Sequence, residues 1–191
     1  MRYSVPMATK TKKSAKVLNS EKVFQATTFY VTRDQLIEPS GQRVRREIIR
    51  HPGSVVIAAI DERLKEPRVL LIRQYRHAAQ QEMWELTAGH VEPGEPILHA
   101  AQRELAEETG YSASEWTIAL QYFPSPGFLD EVMTIYVARN LRKGRSHQEA
   151  DESISSRLVP LSKAVEWVMK GRICDGKAIA GILWLAQKFQ G

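Results

Sequence analysis

The segment from Gly89 to Tyr111 constrains this chain more than any other stretch of its sequence. It reads GHVEPGE, then seven further residues, then RELAEETGY. Proline is tolerated in the first turn of a helix, and a glycine after the last periodic residue commonly ends one. The segment therefore predicts a loop followed by a helix that begins at Glu95 or Pro96 and ends before Gly110.

The predicted helix carries three glutamates on about one face, because Glu104 lies three residues before Glu107 and four before Glu108. Like charges at this spacing cost an isolated helix roughly some tenths of a kcal/mol per pair. A hard divalent cation above the face would make the same cluster favourable, since carboxylate oxygens are the ligands that Mg²⁺ prefers. The alternative is a solvated, glutamate-rich surface, which Glu107 and Glu108 by themselves would favour.

The complete pattern separates these two interpretations. Seven of its residues stand at fixed spacing, and such a set would occur by chance roughly once in 10⁸ starts if each residue type has a usage of about 7%. These residues are Gly89, Glu95, Arg103, Glu104, Glu107, Glu108 and Gly110. The pattern resembles the Nudix box, the loop–helix–loop signature of Nudix hydrolases, with Tyr111 at a last position that usually holds an aliphatic residue. The resemblance implies hydrolysis of a nucleoside diphosphate linked to another group.

The resemblance also implies roles for individual residues of the box. Glu104 and Glu108 correspond to the main metal ligands, Glu107 lies close by, and the carbonyl of Ala88 just before the box is a further ligand; Glu108 is counted with the catalytic residues as well. The expected metal is Mg²⁺, with Mn²⁺ as an alternative, and it would neutralise the anhydride and lower the pKa of a bound water. The structural positions of the box would be Gly89, Glu95, Arg103 and Gly110, with Glu95 paired with Arg103.

Segments outside the box resemble the branch of the family that hydrolyses ADP-ribose and nucleotide sugars. Arg46 lies in a basic segment, residues 44–48, that precedes the first core strand. Arg76 ends a strand that looks like the one whose arginine approaches the substrate phosphates, although such a strand end alone also suits a solvated edge. Pro126 and Gly127 follow Ser125, and Pro126 lies fifteen residues beyond Tyr111, similar to the proline marker of ADP-ribose hydrolases. The resemblance thus implies that these residues bind substrate.

A catalytic base is expected in the acidic stretch 149–153, which resembles the loop that supplies a catalytic glutamate in this branch. Glu152 is favoured and Glu149 is second, while an exposed acidic loop without a role is the alternative. Phe29 and Tyr30 stand where this branch uses N-terminal strands to sandwich the base of the substrate, often with the partner subunit. The same two residues suit the core of a small sheet equally well.

Hydrophobic periodicity predicts a single α/β fold with a mixed sheet between helices. Strands are expected at Phe24–Thr32, Arg43–Ile49, Val55–Ile60, Val69–Ile72, Trp116–Phe123 and Val132–Ala138, and C-terminal helices at Lys163–Gly171 and Lys177–Phe189. In the last helix, the residues expected to face the core are Ile179, Ile182, Leu183 and Ala186. Together with the resemblance, this pattern indicates a Nudix-type α/β/α sandwich plus a small N-terminal antiparallel sheet. We expect a disordered basic tail over residues 1–22, N-terminal strands for dimerisation and base binding over 23–50, and the catalytic domain over 51–191.

Composition and charge exclude several other classes of protein. With 43% hydrophobic and 26% charged residues among 191, the chain has a globular balance, and no apolar run approaches the roughly 20 residues of a membrane span. The tail holds six of the 27 basic residues and one of the 22 acidic ones, so the net charge of +5 belongs to the tail. No aromatic residues are interleaved with its lysines, which does not favour nucleic-acid binding. The single cysteine, Cys174, and the lack of a signal-like apolar segment predict a reduced, cytoplasmic compartment.

Two other functions and one assembly remain as expectations. A non-catalytic Nudix domain that senses a nucleotide is disfavoured by the three box glutamates. A nucleoside triphosphate or RNA 5′-end pyrophosphohydrolase is disfavoured by the Ser125–Gly127 marker and weakly favoured by the basic tail. The N-terminal strands have too few apolar residues to be stable alone. They resemble a segment that pairs across a two-fold axis in this branch, so a homodimer with shared active sites is expected.

Overall fold

A computed structural model describes residues 14–144 and 154–189 of the chain. The strands are β1 (Lys16–Gln25), β2 (Tyr30–Ile37), β3 (Arg43–Arg50), β4 (Ser54–Asp61), β5 (Arg68–Arg76), β6 (Gln81–Glu85), β7 (Thr87–His90), β8 (Tyr111–Ser112), β9 (Glu115–Tyr122), β10 (Met133–Arg139), β11 (Arg142–Lys143) and β12 (Ser155–Pro160). The α-helices are α1 (Ile97–Thr109), α2 (Leu161–Met169) and α3 (Gly176–Phe189), and a short 3₁₀ helix spans His77–Ala79.

These elements form two compact units. The N-terminal unit comprises the residues up to Gly53 together with Gln121–Met133, and the larger unit comprises Ser54–Leu120 together with the residues from Thr134 onward. The expected division after residue 50 therefore misses the return of residues 121–133 to the N-terminal unit. Sequence periodicity does not reveal this return, because it depends on pairing between segments far apart in the chain.

The N-terminal unit is built on an antiparallel sheet with the strand order β1-β2-β3. The turn expected between β2 and β3 is present, closed by a 2.8 Å hydrogen bond from the Gly41 N–H to the Glu38 carbonyl. Residues 121–133 add a short parallel bridge in which Leu129 pairs with Ile49 on β3. Beside this bridge, the Ile49 N–H donates to the Phe128 carbonyl at 2.8 Å.

Two expectations for this unit are wrong. The strand expected at 24–32 is interrupted, because the chain reverses at residues 26–29, where the Ala26 N–H donates to the Phe29 carbonyl at 2.9 Å. The expectation of a disordered tail over 1–22 fails for residues 16–22, since β1 begins at Lys16 and pairs along its length with β2. All ten residues of β1 are exposed. Backbone pairing rather than burial of one face forms this strand, so it has no apolar periodicity to detect.

In the larger unit, the main sheet has the strand order β12-β5-β4-β10-β9, with β6 paired to β5 and β7 paired to β4. The central strand β4 is buried at all eight positions. Its alternate residues Val55, Ile57 and Ala59 belong to one core cluster with Ala100 and Leu105 of α1. A strand whose two faces are both covered reads as a continuous apolar run, and this is what the sequence of β4 shows.

Helix α3 covers the opposite face of the sheet. A Cβ atom at Gly181 would lie 2.5 Å from Cδ1 of Leu86, which is fully buried, and 3.7 Å from Cδ1 of Ile135. Only glycine permits this close approach of helix to sheet. The predicted architecture, α/β with a mixed sheet between helices and a small N-terminal antiparallel sheet, is confirmed.

The core stripe of α3 differs from the expected one. The buried residues are Ala178, Gly181, Ile182, Leu185 and Ala186. Leu183, expected in the core, is 40% exposed. The stripe is therefore rotated, because the close contact at Gly181 brings the face with the smaller side chains against the sheet.

Strand β7 was not expected from the sequence, and it fixes where the box segment begins. It pairs with β4 so that Ala88 lies opposite Val56 and Gly89 opposite Val55. The strand that precedes it, β6, pairs with the end of β5.

Among the described residues, no helix is long and apolar enough to cross a membrane.

Candidate active site

Helix α1 carries the three glutamates singled out in the sequence, here called the box carboxylates (Glu104, Glu107 and Glu108). The helix begins at Ile97 with Pro96 as its N-cap, one or two residues later than expected. It ends at Gly110, whose φ of 70° lies in the left-handed region that glycine adopts readily, and whose N–H donates to the Ala106 carbonyl. The glutamates therefore occupy the last two turns of a regular helix.

Arg103 holds two of the box carboxylates together. Its Nη1 donates to Oε1 of Glu104 at 2.8 Å and to Oε2 of Glu107 at 3.0 Å. One guanidinium thus screens the repulsion between carboxylates that lie within a turn of each other. The expected sharing of one face is confirmed for this pair by their common donor.

The same guanidinium joins the helix to the loop before it. Its Nε and Nη2 each donate to a carboxylate oxygen of Glu95 at 3.1 Å, and Nη2 also donates to the His90 carbonyl at 3.1 Å. The predicted pairing of Glu95 with Arg103 is confirmed. Hydrogen bonding to Glu95 raises the pKa of Arg103 above its ordinary value, and hydrogen bonding to Arg103 lowers the pKa of Glu95. Both groups therefore keep their charge over a wide pH range.

Gly89 makes room for the carboxylate of Glu104. A Cβ atom added at Gly89 would overlap the carboxyl group of Glu104. The side chain of Glu104 therefore lies against the backbone of β7, next to Ala88, in space that any residue other than glycine would fill. This contact gives a physical reason for the glycine at the start of the box.

The third box carboxylate, Glu108, is the most deeply buried of the three, with 5% of its surface exposed. Its negative charge contributes to raising the pKa of Arg76, after the larger effect of the hydrogen bond from Arg76 to Glu85. Arg76 at the end of β5 therefore shares an electrostatic environment with the end of α1.

Arg76 belongs to a second group of charges, here called the Glu85 cluster (Arg76, Glu85, Asp175 and Lys177). Arg76 donates from Nε and Nη2 to the two carboxylate oxygens of Glu85, each at 2.8 Å. Lys177 donates to Oε2 of Glu85 at 2.5 Å and to Oδ1 of Asp175 at 2.9 Å. Burial raises the pKa of Glu85, but the hydrogen bonds and positive charges of Arg76 and Lys177 outweigh it, so that this pKa lies below its ordinary value.

Glu85 was not predicted from the sequence as a functional candidate. Its only signal is a charged residue between Trp84 and Leu86, just before the box. The partners that keep it charged lie nine residues earlier and 92 residues later in the chain. No local pattern could therefore have indicated them.

The box carboxylates suit a hard divalent cation in their chemistry and charge. One guanidinium faces three carboxylates in the Arg103 cluster, which comprises Glu95, Arg103, Glu104 and Glu107, so negative charge is in excess there. The side-chain atoms that could ligate a metal are all carboxylate oxygens, the ligand atoms that Mg²⁺ prefers. Because Gly89 has no side chain, the carboxylate of Glu104 lies against the backbone of residue 89, next to Ala88. Within residues 14–144 and 154–189, no group of three or more His, Cys, Asp or Glu side chains converges as a preformed metal cage. A site completed by water and substrate oxygens remains compatible with this arrangement.

The remaining candidates for substrate binding lie in the N-terminal unit. Neither aromatic candidate is buried: Tyr30 is 37% exposed with Nζ of Lys22 at 4.7 Å from its ring centroid, and Phe29 is half-buried with its ring 6.2 Å from that of Phe24. Arg46 donates to Glu38 at 2.5 Å. The alternative that Phe29 and Tyr30 form the core of the small sheet is therefore not what the structure has.

Pro126 lines a cavity of about 320 Å³ within the same unit. The other lining residues are Asp34, Ile48, Arg50, Phe123, Leu129 and Asp130. Gly127 beside it has open space where a Cβ would be. The structure thus brings Pro126 together with charged groups of β2 and β3 that the sequence analysis did not select.

The two candidates for the catalytic base, Glu149 and Glu152, lie outside the described residues. Their flanks are described. Gly144 donates its N–H to the Gly110 carbonyl at 2.6 Å, and Ile154 is buried. The described residues on either side therefore lie beside the end of α1 and just before β12.

Comparisons with known proteins identify relatives of this chain. The NUDIX domain model matches residues 49–180. The ADP-ribose pyrophosphatase of Mycobacterium tuberculosis is 38% identical over 171 residues, which cover 87% of this chain and 80% of that protein. The methanol dehydrogenase activator of Bacillus methanolicus is 33% identical over 172 residues, which cover 89% of this chain and 91% of that protein. The crystal structure of an ADP compounds hydrolase shares the fold with a TM-score of 0.77 at 24% identity, covering 96% of this chain and 99% of that one.

Proposed function

The chain belongs to the NUDIX family, and we propose that it cleaves the pyrophosphate bond of ADP-ribose or a related nucleoside diphosphate sugar. It is a hydrolase that acts on phosphoric anhydrides, and the products would be a nucleoside monophosphate and a sugar phosphate. The observation that carries the proposal is the set of box carboxylates on α1, two of which Arg103 holds side by side. The relationship to the ADP-ribose pyrophosphatase of M. tuberculosis supports the substrate class.

In this proposal, Glu104, Glu107, Glu108 and the Ala88 carbonyl hold a divalent cation, with Mg²⁺ favoured and Mn²⁺ as the alternative. When bound, such an ion neutralises charge on the diphosphate and lowers the pKa of a bound water. Glu95 and Arg103 hold the helix against the preceding loop, and Gly89 leaves room for the carboxylate of Glu104. These residues therefore organise the site without contacting substrate.

Several residues outside the box are proposed to bind substrate. Arg76 would bind the diphosphate, because a guanidinium matches phosphate oxygens with two parallel hydrogen bonds. Arg46, Pro126 and Gly127 would also contact the substrate, and Phe29 and Tyr30 would sandwich its base. The exposed ring of Tyr30 offers a surface on which a base can stack.

Glu152 is the proposed general base and Glu149 the second candidate, with Glu108 also counted as catalytic. Replacing Glu152 with Gln should lower kcat by about 10²–10⁴-fold, as loss of a general base typically does, while leaving metal affinity almost unchanged. Steady-state rates beside a calorimetric metal titration measure both quantities. Near-wild-type turnover of Glu152→Gln would move the base to Glu149.

The most direct test of the proposed activity is a substrate panel read by product mass. ADP-ribose, ADP-glucose, GDP-mannose, a dinucleotide and a nucleoside triphosphate are each incubated with the protein and Mg²⁺. The proposal predicts AMP and a sugar phosphate from the first two. Preferential cleavage of the triphosphate would contradict the substrate class, and binding without hydrolysis would indicate the nucleotide sensor.

We also propose a homodimer. Strand β1 is exposed along its whole length and presents apolar side chains to solvent, including Val17, Leu18 and Phe24. A second copy of the chain would cover this surface. Light scattering at assay concentrations should give the mass of two chains, and a fully active monomer would contradict the proposal. The cytoplasmic location expected from the single cysteine also stays a prediction.

A further inference from the structure

The Glu85 cluster combines a buried carboxylate with an arginine that reaches the surface. Glu85 has 1% of its side chain exposed, whereas Arg76 has 39% exposed and Lys177 has 12%. Removing a carboxylate from water is costly unless its oxygens are paired. The two oxygens of Glu85 accept three hydrogen bonds from the two cations.

Arg76 is held in one orientation by this arrangement. Nε and Nη2 form two parallel hydrogen bonds to Glu85, the bidentate geometry in which a guanidinium has least freedom to rotate. Within residues 14–144 and 154–189, Nη1 of Arg76 donates no hydrogen bond, whereas Nε and Nη2 both do. One edge of the guanidinium is therefore fixed by Glu85, and the other edge is available to a ligand.

Lys177 satisfies the charge of Glu85 from the other side. It is itself held by Asp175, whose Oδ2 accepts the Ala178 N–H at 2.9 Å at the start of α3. A buried lysine of this kind would be sufficient if Glu85 only had to be neutralised. Neutralising Glu85 therefore does not explain the half-exposed Arg76. The planar guanidinium of Arg76 binds a carboxylate on one edge, and its other edge suits a phosphate.

We propose that Glu85 is a positioning residue that fixes the guanidinium of Arg76 so that its free edge is presented to the diphosphate of the substrate. The inference rests on the proposed function, in which Arg76 binds that diphosphate. Glu85 itself does not contact substrate. Its influence passes through Arg76 alone.

The test is a double-mutant cycle on KM. Glu85→Gln keeps the shape of the side chain but can accept only one of the two parallel hydrogen bonds. It should raise the KM for ADP-ribose by about ten- to a hundredfold, the worth of a charged hydrogen bond, with kcat within about threefold of wild type. Arg76→Ala should raise KM at least as much. If Glu85 acts through Arg76, the double variant should match Arg76→Ala, because residues that act as one unit are not additive.

Glu166→Gln is the matched control. Glu166 also pairs with two cations, Lys163 and Lys170, on the exposed surface of α2, and it has no part in the proposed site. Its KM should equal that of wild type. Affinity for ADP-ribose measured by calorimetry in EDTA gives a second readout that does not depend on turnover, and it should fall for Glu85→Gln and not for Glu166→Gln.

Two outcomes would overturn the inference: an unchanged KM in Glu85→Gln, or a double variant in which the two single effects multiply. If Glu85→Gln alone does not fold, the charge-balanced pair Glu85→Gln with Lys177→Met carries the same test. If the wild type prefers a triphosphate, the proposed substrate fails while the KM ratios, measured on that triphosphate, still decide the role of Glu85.

Discussion

The Arg103 cluster and the Glu85 cluster both lie in the larger unit, and their charge balances differ. In the Arg103 cluster, one guanidinium serves three carboxylates. In the Glu85 cluster, Glu85 pairs with the two cations Arg76 and Lys177. Asp175 balances the charge of Lys177. The first cluster is partly exposed, with 41% of the Glu107 side chain accessible, whereas Glu85 is almost fully buried.

The difference indicates what each cluster can do. An excess of negative charge at a partly exposed surface is stabilised by a cation from solution, so the Arg103 cluster is suited to recruit a metal. The Glu85 cluster is balanced and needs no further ion, and its value lies in geometry, because the buried carboxylate of Glu85 and the cations paired with it hold each other firmly in a low-dielectric setting. The four predictions below test this contrast.

The largest effect is expected for Glu104→Gln, which removes one charge from the cluster with an excess of carboxylates. Activity should fall by about 10²-fold or more, because the charge that develops on the leaving phosphate is less well stabilised. Excess Mg²⁺ should rescue it only in part. The melting temperature should be unchanged or slightly higher, since the repulsion between like charges at Glu104 and Glu108, four residues apart on α1, is relieved. Metal titration calorimetry beside steady-state rates measures this, and near-wild-type activity would remove Glu104 from the metal site.

For the balanced cluster, Glu85→Gln should lower the free energy of unfolding by about 3–5 kcal/mol, as breaking a buried ion pair usually does. The loss should depend on pH. The pKa of Glu85 is lowered in the folded protein, so its carboxylate contributes stability that is fully present above its ordinary pKa of 4.5 and is lost as pH falls through the lower folded value.

Urea unfolding at several pH values measures this dependence. The difference in stability between wild type and Glu85→Gln should be largest at neutral pH and should shrink below about pH 4.5. A difference that stays constant down to pH 3 would mean that the charge of Glu85 is not what stabilises the cluster.

A smaller effect is expected for Gly89→Ala. The added methyl group would displace the carboxylate of Glu104, which is the flexible end of a side chain, so folding should be nearly unaffected. Activity should fall by about tenfold or more, because small misplacements at a reacting centre are costly. Gly176→Ala is the control, since a Cβ there meets nothing within 4 Å. Equal activities of the two alanine variants would show that the position of Glu104 is not critical.

The smallest effect is expected for Glu166→Gln on the exposed face of α2. Hydrogen bonds from Lys163 and Lys170 lower the pKa of Glu166 to about 2, yet the side chain is open to solvent, which screens both pairs. Its melting temperature should stay within about one degree of wild type. A large drop in melting temperature would show that an exposed cluster of ion pairs stabilises the fold as much as a buried one.

Elements were predictable from the sequence where a local pattern of residue types has one clear structural explanation. The helix of the box was predicted because proline is tolerated in its first turn and Gly110 is placed to end it. Strand β4 was predicted because residues 55–60 form a continuous apolar run. The reversal between β1 and β2 was missed because residues 26–29 contain neither glycine nor proline, and a hydrogen bond between backbone groups closes the turn instead.

The site follows the same rule. The pairing of Glu95 with Arg103 was predictable because both residues belong to one short segment with a recognisable pattern. The burial of Glu85 was not predictable, because it depends on Arg76 and Lys177 arriving from separate elements. Local patterns indicate which residues carry chemistry, whereas the partners that hold them in place are known only once the chain has folded.

The close packing of Gly181 against Leu86 has a consequence for inheritance. Gly181 lies one turn after Lys177 on the same side of α3, so a helix pushed away from the sheet at one residue also moves at the other. An alanine at position 181 would therefore loosen Lys177 from Glu85 without touching any charged group. In a living cell, Gly181→Ala should therefore behave as a temperature-sensitive mutation, with the protein folded at low temperature and unfolded at high temperature. Residue 181 lies outside the proposed active site.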